Sequence, residues 1–311
     1  ARWMTADGGR LVLIGNITGQ MRVINLANGS ITQPAAAFPQ PWPFVPTFPS
    51  PDGERFWYQD TEKDEFRYYD LAGNVLASFP ATSGMHNFPA VSWSHDGQYT
   101  VYSDTFDRDK RHVMFDYGDS VQVAPQRLAF RNRQGDLVRT VESKEDGVYV
   151  ELAGWPAAGG DVVLLERYKL TDNQELFNER IKTDRSYALL DLATGNETGL
   201  KLADGPVQEK ATDLFFGNHY GPVGLLDRDS GQLAFRDVDV RRVETGDGTW
   251  AWTQTDWEAR TNRLFAWDPV SGRLSAYGVP PFNADSVLVG GKWHYTTDMA
   301  ARRLPGPSGT P

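Results

Sequence analysis

One short phrase, repeated three times, constrains this chain more than any other feature. It reads Trp3-Met4-Thr5-Ala6-Asp7-Gly8, then Phe48-Pro49-Ser50-Pro51-Asp52-Gly53, then Trp93-Ser94-His95-Asp96-Gly97. Each copy passes from an aromatic residue through a small or polar step to Asp-Gly, then into a β-prone run such as Arg55-Phe56-Trp57-Tyr58 or Tyr99-Thr100-Val101-Tyr102. The copies stand about 44–45 residues apart, the length of one four-stranded propeller blade. Aspartate accepts backbone hydrogen bonds in such a turn and glycine takes the left-handed conformation. Asp52, Gly53, Asp96 and Gly97 are therefore read as structural.

A second kind of turn completes each unit. Alternating runs end at Asn28-Gly29, Ala72-Gly73, Gly135, Thr194-Gly195 and Ser271-Gly272, and each is followed by another short β-prone run. If the strands of a unit are called A to D, the Asp-Gly turns join A to B and these turns join C to D. Weaker A–B turns fall at Gly159-Gly160, at residues 246–248 and at Gly290-Gly291. The expected units are 1–33, 45–80, 88–141, 148–202, 207–245, 247–280 and 284–304. A single blade cannot cover both faces of its own sheet, so stacking of blades is what buries the apolar strands. The expected fold is thus all-β, a β-propeller of four-stranded antiparallel blades, with seven blades favoured and six as the alternative. Residues 1–304 form one domain in this reading, and 305–311 a flexible tail.

Ser50-Pro51-Asp52-Gly53 and Ser94-His95-Asp96-Gly97 resemble the WD40-like repeat known as PD40, which is typical of TolB-like propellers. The resemblance implies the propeller fold and an extracytoplasmic setting in a bacterium, in the periplasm, on the cell surface or secreted. It implies no activity. Propellers of this kind occur in binding proteins, in peptidases and in lyases, so function must be argued from the residues of a site.

Composition removes several classes of function. The formal charge is -10 and no Lys/Arg-rich block is present, which argues against nucleic acid as a partner. The absence of cysteine excludes disulfides, thiolate metal sites and cysteine nucleophiles. No apolar run approaches the roughly 18 residues of a membrane-spanning helix, so membrane insertion is not expected. Neither a Gly-x-Ser-x-Gly elbow nor a Gly-rich phosphate loop occurs. The start at Ala1, without Met or a leader, is read as a mature or trimmed form.

Function is then sought where the repeat is interrupted. Antiparallel blades put B–C loops and D-to-A connections on one face, opposite the tight turns. Three long departures map there: Pro34 to Pro51, Asp104 to Gln126 and Lys169 to Arg185. The first interleaves proline with Phe38, Trp42, Phe44 and Phe48, a pattern that stiffens a loop and holds aromatics outward. The second and third are read as B–C loops, with one or two helical turns expected over 172–180. Loops lengthened on one side of a rigid scaffold are where binding concentrates.

The candidate contact residues are Trp42, Phe44, His86, Asn87, Asp107, Arg111, His112, Phe177 and Arg180. The expected partner is a protein or peptide, met by a monomeric, non-catalytic module. The alternative is an enzyme, a hydrolase or lyase acting on an extracellular glycan or peptide, with His86 and nearby carboxylates in an axial pocket. No cofactor is called for. Carboxylates at Asp104, Asp107 and Asp109 and at Asp227 and Asp229 leave calcium as a weak alternative, without the EF-hand spacing. Of the ten tryptophans, Trp57, Trp93, Trp250, Trp252 and Trp267 are assigned to packing between blades, and Trp42 is the best exposed candidate.

Overall fold

The computed structural model describes the chain except residues 1, 6–7, 16–18, 35–46, 61–64, 81–90, 105–112, 118–119, 124–126, 144, 146, 173–179, 204–210, 217–222, 237–239, 245–249, 257–260, 269, 280–284, 290–291, 298–299 and 304–311. All described elements are strands, and they follow the sequence repeat. The first sheet is β1 (Arg2–Met4), β2 (Arg10–Ile14), β3 (Met21–Asn25) and β4 (Ile31–Thr32), paired antiparallel in chain order. The second is β5 (Thr47–Pro49), β6 (Arg55–Asp60), β7 (Glu65–Asp70) and β8 (Val75–Pro80), in the same order. The third joins β9 (Val91–Trp93), β10 (Tyr99–Asp104), β13 (Arg127–Asn132) and β14 (Leu137–Glu142), with the separate hairpin of β11 (Val113–Tyr117) and β12 (Ser120–Val123) inserted between its B and C strands.

The fourth set is β15 (Val148–Pro156), β16 (Val162–Asp172), β17 (Arg180–Asp191) and β18 (Glu197–Leu202), and the fifth is β19 (Asp213–Phe216), β20 (Val223–Asp227) and β21 (Gln232–Arg236). These seven strands close into one sheet, because β18 pairs parallel with β21 and β15 pairs antiparallel with β19. The sixth sheet is β22 (Val240–Glu244), β23 (Trp250–Asp256), β24 (Thr261–Asp268) and β25 (Arg273–Val279). The last holds β26 (Asp285–Val289), β27 (Lys292–Thr297) and β28 (Ala300–Arg303). The fold is an all-β propeller built on four-stranded antiparallel blades.

The repeated phrase folds as a hydroxyl clamp. Ser94 Oγ accepts the Tyr99 N–H at 2.9 Å and lies 2.7 Å from Asp96 Oδ1, which also accepts the Gln98 N–H at 3.0 Å. Ser50 Oγ accepts the Arg55 N–H at 3.1 Å and lies 2.5 Å from Asp52 Oδ1. Thr5 Oγ1 accepts the Arg10 N–H at 3.0 Å. The three hydroxyl residues are 2%, 6% and 1% exposed for Thr5, Ser50 and Ser94, so each small polar step is a buried partner for a strand-end amide. Gly53 carries a second constraint besides its φ of 70°: a Cβ there would lie 2.9 Å from Met4 O and from Thr5 Cα.

The two compact units of the chain are Ala1–Leu152 with Gly160–Ser186 and Leu190–Glu197, and Ala153–Gly159 with Tyr187–Leu189 and Thr198–Pro311. In the first, β6 serves two cores by the period-two alternation of a strand. Phe56 and Tyr58 pack with Val12, Ile14, Met21 and Val23, while Trp57 packs with Tyr68, Val91 and Tyr102. Each aromatic buried in this way contributes about 2–3 kcal/mol. The tryptophans also donate between blades: Trp3 Nε1 to Gly53 O at 3.0 Å, Trp57 Nε1 to Thr100 Oγ1 at 3.1 Å and Trp93 Nε1 to Phe48 O at 3.1 Å. In the second unit, Leu214, Phe216, Val223, Leu225, Phe265 and Trp267 form a core, with Trp267 Nε1 donating to Ala211 O at 3.0 Å.

Several expectations need correcting. Val240–Glu244 was expected in the fifth unit, yet it pairs with β23 as the edge strand of the sixth sheet. Its Val-Arg-Arg-Val-Glu run has no aromatic residue to mark it as a strand A, although Asp247-Gly248 follows it in sequence where an A–B turn belongs. Phe48, grouped with the outward aromatics of the proline segment, lies in β5 and packs against the core of Trp57 and Tyr68. Residues 104–126 hold the β11–β12 hairpin and not only a loop. Residues 169–172 and 180–185 are strand. The helical turns expected over 172–180 are therefore excluded at both ends, and 173–179 lie outside the described residues.

Candidate functional site

The B–C end of the fourth blade carries a partly buried charged cluster. The inward run Val162-Val163-Leu164-Leu165 of β16 is followed without a turn by Glu166-Arg167-Tyr168, so a carboxylate and a phenol continue the register of a buried strand. Glu166 is 4% exposed. Lys182 of β17 donates from Nζ to Glu166 Oε2 at 3.0 Å and to Glu151 Oε2 of β15, and its Nζ sits 4.3 Å from the centre of the Tyr168 ring. Arg185 Nε donates to Glu166 Oε1. The Tyr168 hydroxyl donates to Glu151 Oε1 at 3.0 Å, and Tyr149 packs against the Tyr168 ring at 5.8 Å between centroids. Two carboxylates meet two cations, so the desolvated group is balanced.

Burial alone would push the Glu166 carboxyl up, but the Lys182 charge and the hydrogen bonds from Arg185 and Lys182 outweigh it and hold the carboxyl below its usual range. Burial, reinforced by the Glu151 charge, pushes the Tyr168 phenol up. Neither group changes protonation near neutral pH. Their chemistry is that of a clamp, not of an acid or base poised for proton transfer.

The opposite ends of the blades differ in kind. At the A–B and C–D ends, turn carboxylates are committed to backbone and neighbouring blades. Asp96 Oδ2 accepts the Gly160 N–H at 3.0 Å, Asp52 pairs with Arg133, and Arg139 donates to Leu192 O at 3.1 Å and to Ala193 O at 3.0 Å. Asp227, weighed above for calcium, opens the β20–β21 turn and holds the Ser230 hydroxyl at 2.7 Å and the Asp229 N–H at 3.1 Å. Among the described residues no three His, Asp or Glu side chains come together as a metal site.

Of the residues named from the sequence, Trp42, Phe44, His86, Asn87, Asp107, Arg111, His112 and Phe177 lie outside the described residues. Arg180 is the first residue of β17, with its side chain outside that description. Glu151, Glu166, Tyr168 and Arg185 went unnoticed as a group. The signal was there: a glutamate that directly continues the apolar run Val162-Val163-Leu164-Leu165 needs a partner, and the next strand supplies Lys182 and Arg185.

No protein-family model matches the chain, and no curated protein sequence does. Solved structures with a similar trace include a functionally unknown protein from Desulfotomaculum acetoxidans, at 13% identity over 96% of this chain and 95% of that one, with a TM-score of 0.38. Dipeptidyl peptidase 4 of Porphyromonas gingivalis aligns at 11% identity over 98% of this chain and 53% of its own, with a TM-score of 0.48. TolB from Acinetobacter baumannii aligns at 12% identity over 88% of this chain and 64% of its own, with a TM-score of 0.34. This chain therefore spans about half of the peptidase chain and just under two thirds of the TolB chain. None of the three is similar enough for a property to be carried over.

Proposed function

We propose that this chain is an extracytoplasmic, TolB-like propeller module that acts by binding a protein or peptide on the B–C side of its blades, as a monomer and without catalysis. The observation that carries the reading is the asymmetry between the two ends of the blades. Among the described residues, the Asp-Gly A–B turns and the C–D turns are short, and turn carboxylates such as Asp52, Asp96 and Asp227 are spent on the backbone or on a neighbouring blade. On the B–C side of neighbouring blades, the chain adds the β11–β12 hairpin and extends β16 and β17 to 11 and 12 residues. Ile181 and Lys169 are exposed on that extension, a mixed apolar and charged surface of the kind that docks polypeptides. The extracytoplasmic setting rests on the repeat motif.

The test is site-specific photocrosslinking in the cell that makes the protein, with benzoylphenylalanine at Ile181 or Lys169 and, at the other end of the same blade, at Ala193 or Thr194. Adducts at the first pair that weaken with Trp42→Ala and Phe44→Ala are expected. Adducts confined to the second pair, or absent from all four positions, would overturn the reading.

A further inference from the structure

Asp184 has φ 50°, the single non-glycine residue with positive φ among the described residues. A left-handed aspartate inside a strand costs energy and persists only where its surroundings determine it. Its position explains a geometric oddity of the cluster. In a regular strand Lys182 and Asp184 would share one face and Arg185 would point to the other. Yet Lys182 and Arg185 both reach Glu166, while the Asp184 carboxylate pairs with Lys169 at 3.1 Å, next to Tyr168 on β16. One left-handed residue between them accounts for Arg185 turning onto the side of Lys182, as a bulge would.

Apolar burial is missing where this happens. Val163, Leu164 and Leu165 are fully buried, but beyond them Glu166 and Tyr168 are the buried residues of β16 within the described set, and none from Ile181 to Ser186 is buried. Among the described residues, the outer half of the β16–β17 hairpin therefore has no hydrophobic cluster of its own beyond the Tyr149, Tyr168 and Leu170 contact.

We propose that the Asp184 bulge and the Glu151–Glu166–Lys182–Arg185 cluster form a latch that fixes the register of this outer hairpin and so pre-orders the surface it presents to a polypeptide partner. The latch closes because Lys182 joins three strands at once, through Glu151 on β15, Glu166 on β16 and its own place on β17. Without the bulge, Arg185 leaves Glu166, and a slip of one residue carries Ile181 and Lys182 each to the face opposite the one it now occupies. Pre-ordering of this kind lowers the conformational cost of binding. The functional meaning of the latch rests on the docking reading above, whereas its existence is testable in the free protein.

Hydrogen exchange with mass spectrometry on the full chain, without a partner, tests it. Lys182→Met is expected to speed exchange in 166–171 and 181–186 by about tenfold or more, the effect of taking one of two cations from a buried carboxylate, with 55–60 and 66–70 unchanged. Lys182→Arg restores protection. Asp184→Val, whose branched side chain resists a left-handed backbone, is expected to match Lys182→Met, and Asp184→Gly to stay native-like. Native-like exchange in both Lys182→Met and Asp184→Val overturns the latch, as does Asp184→Gly behaving like Asp184→Val. Faster exchange in 55–60 and 66–70 as well overturns it too, because the loss is then global. Exchange that changes as expected in these variants, together with crosslinking that fails at both Ile181 and Lys169, refutes docking and leaves the latch standing.

Discussion

Replacing Ser94 by Ala isolates the hydroxyl clamp of the repeat, because the side chain is almost fully buried and alanine fits its backbone. The substitution removes the acceptor of the Tyr99 N–H at 2.9 Å and the hydroxyl that holds Asp96 Oδ1 at 2.7 Å. A buried amide left without a partner costs about 1–3 kcal/mol. The lost bond to Asp96 adds little, since that carboxylate reaches water and keeps the Gln98 N–H. A net loss of about 2 kcal/mol follows. With a urea dependence of about 3 kcal/mol per molar for a chain of this size, the midpoint of unfolding should fall by about 0.7 M at unchanged slope. Tryptophan fluorescence is a suitable probe, because Trp93 sits next to the substituted residue and donates to Phe48 O. Ser50→Ala should show a loss of similar size, as its Arg55 N–H and Asp52 contacts repeat the same geometry. The exposed turn substitution Val270→Ser serves as the control, at 92% exposure. A shift for Ser94→Ala no larger than that of the control would refute the clamp.

Gly53→Ala and Gly8→Ala separate backbone strain from close approach: φ is 70° and 68°, but a Cβ meets Met4 O at 2.9 Å only in the first and open space in the second. Thermal or urea unfolding should show a loss of about 1 kcal/mol for Gly8→Ala and at least about twice that for Gly53→Ala, and equal losses would remove the close-approach argument. Stability should also fall in acid. The carboxyls of Glu166, Asp52 and Asp96 all lie below their ordinary range, where hydrogen bonds and nearby cations outweigh burial. Groups whose pKa is lower in the folded than in the unfolded chain add stability above the unfolded value of about 4, which is lost as pH falls through the folded values. Urea midpoints should hold between pH 7 and 5 and decline below about pH 4, and a midpoint that rises on acidification would contradict these directions.

Much of the fold was legible because each blade solves its problem locally. Asp52-Gly53 and Asp96-Gly97 specify a turn with four residues, and the alternation of Phe56, Trp57 and Tyr58 specifies two buried faces from one strand. The start of the sixth blade differs from the expected one because Val240–Glu244 carries no aromatic residue to set it apart from the preceding unit, and pairing with β23 decides where it belongs. The segment after Lys169 was misread for a related reason. Its polar composition looks like a loop until Glu166, Lys182 and Arg185 are seen to neutralise one another across strands.

The sequence by itself determined the repeat, the position of nearly every hairpin and the propeller class, since turn geometry and strand alternation depend on neighbours a few residues apart. Tertiary structure decided the rest. It turned the small polar step of the Asp-Gly phrase into a buried clamp and Gly53 into a point of close approach. It also gathered Glu151, Glu166, Tyr168, Lys182 and Arg185, spread over 35 positions, into one balanced cluster. Those outcomes depend on partners far apart in the chain, and on one left-handed residue at Asp184 that no local rule of composition requires.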